Sequence, residues 1–151
     1  MTISTEAPVV TAPDNSVNLK SDMKFAEIIQ TVIASMDSDK TAVVNQTGNI
    51  WKFRYGSVEV VVNITGEAPT DTFTVLSTVM PAKDDAKLLR LLLEKNASET
   101  FEARFAIQND QVIVVAARSV EDLSAAEISR IITIVATIAD SNDDSLKAQF
   151  S

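Results

Sequence analysis

Residues 50–64 carry the pattern that most restricts how this chain can fold. Trp51, Phe53 and Tyr55 alternate with Ile50, Lys52 and Arg54, and Val58, Val60, Val62 and Ile64 alternate with Glu59, Val61 and Asn63. A period of two places each set on one face of an extended strand. Gly56-Ser57 separates the two runs, and a two-residue II′ turn takes glycine at its first position because φ is positive there. The stretch therefore predicts an antiparallel hairpin whose aromatic and valine faces share one side of a sheet. Trp51, Phe53 and Tyr55 could also form a ligand-stacking face, but a period-2 aromatic stripe is read first as core. That side must be covered, so the rest of the chain has to supply the cover.

Helices are the candidates for it. From Ser21 or Asp22, the residues Phe25, Ile28, Ile29, Val32, Ile33 and Met36 keep the i, i+3, i+4, i+7 spacing of an amphipathic helix, ended by a turn at Asp37–Lys40. A second helix is expected over Lys83–Asn96, after Pro81, with Asp84 and Asp85 in its first turn. A third opens at a capping box, Ser124 with Glu127, and shows Ile128, Ile131, Ile132, Val135 and Ile138 on one side. Between these lie further strands: a short candidate at Ala42–Gln46, a long one at Thr72–Met80, and a pair at Glu99–Ile107 and Val112–Arg118 around Asn109-Asp110. In Glu99–Ile107, the residues Phe101, Ala103, Phe105 and Ile107 should share one face. The order is α-β-β-β(-β)-α-β-β-α. Hairpin-length connections imply antiparallel pairing, giving an α+β fold with one curved antiparallel sheet and three helices against one face. Residues 1–20, with Pro8 and Pro13, read as a flexible leader. Residues 21–139 form the single domain, and residues 140–151 are expected as a frayed acidic tail. With 151 residues the chain is long enough to bury about 70% of its unfolded surface without staples.

Composition removes much chemistry. There is no histidine and no cysteine, so a Ser-His-Asp triad, a cysteine nucleophile, an imidazole or thiolate metal site and a disulfide are all excluded. The three glycines, Gly48, Gly56 and Gly66, are too far apart for a phosphate-binding loop. No catalytic, cofactor-binding or metal-ligating residue is assigned. Asp140-Ser-Asn142-Asp143-Asp144-Ser145 begins like an EF-hand loop but lacks its sixth-position glycine and its closing glutamate. The acidic pairs Asp84/Asp85, Glu121/Asp122 and Asp143/Asp144 fall at helix starts or in the tail, where electrostatics already accounts for them. The net charge of −8 is spread along the chain and no basic stripe interrupts it, which speaks against nucleic acid. No apolar run is long enough for a membrane span, and with no basic residue before Lys20 and no apolar h-region a secretory signal is not expected. A cytoplasmic protein is expected.

One surplus remains. Leu88, Leu89, Leu91, Leu92 and Leu93 cover an arc of roughly 200° on the second helix, wider than a single core-facing stripe requires. The arc is read as a subunit interface, with Leu88, Leu91 and Leu92 as its candidate residues. Which half of it meets a partner is left open.

The first helix Phe25–Met36, the hairpin Ile50–Ile64, the second helix Lys83–Asn96, the run Phe101–Arg118 and the closing helix after Ser124 together resemble the type III secretion chaperone-like fold and the YbjN-like proteins of bacteria related to it. The resemblance covers about residues 21–139. This sequence adds the candidate strand at Ala42–Gln46 and the Thr/Pro-rich leader. Secretion chaperones of this type are homodimers that bind an extended segment of a client and have no catalytic residues, and YbjN-like proteins have been given a regulatory role. The resemblance thus implies a non-enzymatic protein-binding module that pairs with itself and with a protein client. The alternatives are a regulatory domain binding a small ligand between sheet and helices, and an enzyme with two carboxylates converging in one cleft.

Overall fold

The computed structural model describes residues 14–36, 45–65 and 71–151. In chain order its elements are α1 (Asp14–Met36), β1 (Asn45–Thr47), β2 (Ile50–Tyr55), β3 (Val58–Thr65), β4 (Thr72–Pro81), α2 (Ala86–Ser98), β5 (Arg104–Gln108), β6 (Gln111–Ser119) and α3 (Ala125–Phe150). The strands form one six-stranded sheet in the order β1-β2-β3-β4-β6-β5, antiparallel throughout. The fold is α+β, as the hairpin spacing requires.

The β2–β3 hairpin has the expected register. Trp51 stands opposite Val62, Phe53 opposite Val60 and Tyr55 opposite Val58. Gly56 has φ +58 while Ser57 stays outside the positive-φ region, as a II′ turn demands. The β5–β6 turn instead uses Asn109 (φ 51) and Asp110 (φ 62), both left-handed, the I′ arrangement that these two residue types tolerate. Two core rows cross the sheet: Trp51–Val62–Val75–Ala116, and Phe53–Val60–Ser77–Val114–Phe105. The one hydroxyl in these rows, on Ser77, is fully buried and donates to the Glu59 carbonyl at 2.7 Å. A bulge between Thr78 and Met80 turns Val79 and Met80 both inward. The helices meet this face: Ile29 and Ile33 of α1, Leu88 and Leu92 of α2 and the apolar side of α3 join one core.

The structure corrects the sequence reading at four places. Helix α1 begins at Asp14, within the stretch read as leader, not at Ser21 or Asp22. The turn at 37–40 and residues 42–44 of the candidate strand lie outside the described residues, while Asn45–Thr47 pair with β2 as an edge strand. Helix α2 begins three residues later than expected. Asp85 precedes it as N-cap, its carboxylate accepting from Lys87 N–H (2.9 Å) and Leu88 N–H (3.4 Å), and Asp84 lies outside the helix. The same helix runs on to Ser98, which takes residues 99–103 out of the sheet. Glu99 caps it, Ala103 N–H closes a turn on the Thr100 carbonyl at 2.9 Å, and Phe101 adopts φ 54 at the turn's corner. Phe101 is therefore exposed instead of sharing a face with Phe105.

The fourth correction concerns residues 140–151. They form no frayed tail: α3 continues to Phe150, and Leu146 is 1% exposed. The cause is polar as well as apolar. Asp140 Oδ1 accepts the Ser57 N–H at 3.0 Å and the Ser57 hydroxyl lies within bonding distance of both Asp140 (3.1 Å) and Asp143 (2.7 Å). Asp143 is fully buried, with Lys147 Nζ 3.7 Å away one turn on. The acids expected in a frayed tail thus latch α3 onto the β2–β3 turn. A Cβ at Gly56 would collide with the Asp140 carboxylate, so glycine is required there for space as well as for φ.

Candidate functional site

The described residues offer little for chemistry. No group of three or more Asp or Glu could hold a metal ion among them. Asp140, Asp143 and Asp144 are helical, which removes the loop geometry of a calcium site. Asp84/Asp85 precede α2, Glu121/Asp122 lie between β6 and α3, and Asp143/Asp144 lie within α3.

A cleft of about 200 Å³ opens between β6 and α3, lined by Glu102, Ala116, Ala117, Arg118, Glu127, Arg130 and Ile131. It is smaller than the roughly 300–1,000 Å³ of ligand pockets. It does hold two acids that the sequence did not pair, Glu102 and Glu127, but each is bound to an arginine. Arg118 bonds Glu127 and donates to the Glu121 carbonyl at 3.2 Å, and Arg130 forks onto Glu102, with Nη2 2.8 Å from Oε1. The hydrogen bond from Arg130 lowers the Glu102 pKa, and the Ser124 backbone and hydroxyl, helped by Arg118, lower that of Glu127. Arg130 is raised in turn by Glu102. Carboxylates held ionised in this way clasp α3 to β6 and to the turn before β5, whereas a general acid needs its pKa moved the other way.

The surface of α2 is a different case. Leu88 and Leu92, two of the three residues assigned to an interface, are buried in the core of their own chain, and Leu91 is half-buried against it. Leu89 and Leu93 are on the outside, 36% and 70% exposed. They stand one turn apart and both lie to one side of Asn96 in helical projection, about 20° and 60° from it at 100° per residue. Asn96 fixes where that flank lies. Its amide donates to the Phe105 carbonyl (3.1 Å) and accepts the Phe105 N–H (2.7 Å), so it occupies the outer edge of β5 as a strand partner would.

Phe105 is thereby a non-hydrogen-bonded pair with Val114, and alternation sends the N–H and C=O of Ile107 to the same outer edge. Ile107 is 50% exposed and Phe101, in the turn before β5, is 77% exposed. These two residues, with Leu89 and Leu93, supply four of the five large hydrophobic side chains exposed among the described residues. The sequence reading found the leucines but put Phe101 and Ile107 on one strand face with Ala103 and Phe105. The missed signal is the end of α2: a helix reaching Ser98 leaves too few residues for a strand before Arg104.

The chain matches the YbjN family model, described as "Putative bacterial sensory transduction regulator", over residues 26–148. No curated protein sequence matches. Solved structures share the fold at low identity. A chain of the ExsC–ExsE complex matches with TM-score 0.56 and 12% identity, over 80% of this chain and 94% of that one. A chain of the HopA1–SchA chaperone–effector complex gives 0.51 and 10%, over 78% and 94%. A chain of the Yersinia pestis type III secretion chaperone SycH in complex with a stable fragment of YscM2 gives 0.50 and 11%, over 75% and 98%. Among the described residues no helix is long and apolar enough to cross a membrane. By its match from residue 26 to residue 148, this chain belongs to the YbjN family, on a fold shared with type III secretion chaperones.

Proposed function

We propose that this protein is a non-enzymatic protein-binding module that works as a homodimer and holds a protein client. The observation that supports self-association is the exposed apolar margin of α2 and β5: Leu89, Leu93, Phe101 and Ile107 beside an incompletely covered strand edge. Scattered exposed leucines need no explanation, but four large apolar side chains on two adjoining elements and the turn between them form the sort of patch that meets a partner. Leu91 remains part of the proposed interface at its rim, while Leu88 and Leu92 support it from beneath. That the solved neighbours include a chaperone–effector complex and a chaperone bound to a protein fragment supports the client part of the reading.

Light scattering on a size-exclusion column tests the dimer. At roughly 100 μM a dimer with a Kd near ~1 μM runs as one species of twice the chain mass. Leu93→Glu should shift it to monomer while leaving the far-UV circular dichroism unchanged, and Leu91→Glu should weaken it. A wild-type protein that is monomeric at that concentration overturns the homodimer.

A further inference from the structure

The sheet has a second face, and its charge differs from that of the chain. On the side away from the helices stand Ile50, Lys52 and Arg54 of β2, Glu59, Val61 and Asn63 of β3, and the outward residues of β4, β6 and β5. No described helix packs there. In a protein of net charge −8, this face carries three cations, Lys52, Arg54 and Arg104, and one anion, Glu59, which stands directly opposite Arg54.

The register aligns the remaining groups. Lys52 is opposite Val61, Val61 opposite Leu76, Leu76 opposite Val115, and Val115 opposite Arg104. One straight row thus crosses five strands, apolar in the middle and cationic at both ends. Val61, Leu76 and Val115 are half-buried, and both end cations are exposed, without an ion pair among the described residues. Beside the row, Ile113 floors a shallow depression with Leu76 and Thr78.

We propose that this face docks an acidic amphipathic helix of the client, its apolar stripe on Val61–Leu76–Val115 and its carboxylates on Lys52 and Arg104. The proposal rests on the protein-binding reading above and gives the client its chemistry. A helix fits better than an extended segment. Strands β2, β3, β4 and β6 are paired on both sides, so the face has no free backbone groups for an extended peptide, whereas a helix satisfies its own. Five strands at about 4.8 Å spacing put the end cations about 19 Å apart, which about 13 helical residues span. Among the described residues, α1 and α3 expose mainly polar side chains such as Glu27, Gln30, Thr133 and Thr137, and the exposed leucines of α2 adjoin Arg90 and belong to the proposed interface between copies, so a separate protein is the occupant.

Fluorescence anisotropy tests it with the full chain and a labelled synthetic helix of about 15 residues, leucine along one stripe and glutamate on both flanks. Versions with glutamine or lysine in place of glutamate serve as comparisons. The acidic peptide should bind about tenfold or more tightly than the lysine version, with glutamine between, and its affinity should fall with added salt. Lys52→Glu/Arg104→Glu, both changes at exposed positions, should cost about tenfold or more in that affinity, and Leu93→Glu should leave it unchanged. Three peptides that bind alike, an acidic peptide that ignores the double substitution, or no binding of any peptide overturns the proposal. The light-scattering result stands apart: a dimer with no charge preference keeps the dimer and removes this site, and a monomer that prefers the acidic peptide does the reverse.

Discussion

Helices α2 and α3 are both rich in branched apolar residues, yet they end in opposite situations. Helix α3 lies across β2, β3, β4 and β6, and nearly all of its large apolar side chains are covered. Helix α2 lies mainly beside β5, an edge strand, and buries only Leu88 and Leu92. A helix over the centre of a sheet meets apolar side chains on both sides of its contact stripe. A helix at the rim meets them on one side and leaves its outer flank bare. The unequal burial follows from position in the sheet, not from hydrophobicity of the sequence.

Substitutions can break this contrast, and the largest effect should come from α3. Leu146→Ala removes a fully covered side chain near the C-terminus and should cost about 3 kcal/mol, read from urea unfolding, while Leu93→Ala, at an exposed position on α2, should change the subunit's own stability by under about 0.5 kcal/mol. Equal losses would mean that α2 and α3 are embedded alike. Gly56→Ala should follow at about 2 kcal/mol, because alanine at φ +58 is strained and its Cβ strikes Asp140, lifting the end of α3 from the turn. Its hydrogen-exchange signature should be faster exchange confined to residues after Asp140, with α2 unaffected.

On α2 the chief local device is its cap. Asp85→Ala should cost about 1 kcal/mol, and Asp85→Asn much less, since either oxygen can accept from Lys87 and Leu88 N–H. A thermal melt of the two variants side by side checks it. The smallest effect belongs to the capping box of α3. Glu127 has its pKa lowered in the folded state by the Ser124 backbone and hydroxyl, so its stabilisation is complete above the ordinary glutamate value of 4.5 and is lost as the pH falls through the lower folded value. The melting temperature should decline with acidification over that window, and Glu127→Gln should flatten part of the decline. An unchanged profile would remove the capping box from the pH dependence.

Much of this molecule was legible before its structure. The hairpin at 50–64 was readable because alternation and a Gly-Ser turn are local signals. The start of α3 was readable because Ser124 and Glu127 cap it within one turn. Asp140 and Asp143 were misread because their partner, Ser57, is 83 and 86 residues away, and an acid with a distant donor looks like a solvated one. Phe101 was misread because alternation continued on paper through Ala103 to Ile107, while the helix before it claimed the intervening residues. Of the candidate interface, the sequence showed the excess of leucines but could not divide it, since Leu88 and Leu93 are equivalent until the sheet edge is placed.

The residues alone determined the element order, the antiparallel pairing, the inward faces of β2 and β3 and the exclusion of histidine, cysteine and glycine-loop chemistry. Each depends on spacing within a few residues or on composition. Only the tertiary structure decided which leucines remain outside, that the acidic C-terminal stretch is an anchored helix, and that Lys52, Val61, Leu76, Val115 and Arg104 fall in one row. Those facts depend on strand register and on groups far apart in the chain, and register is set by the closing of the sheet as a whole.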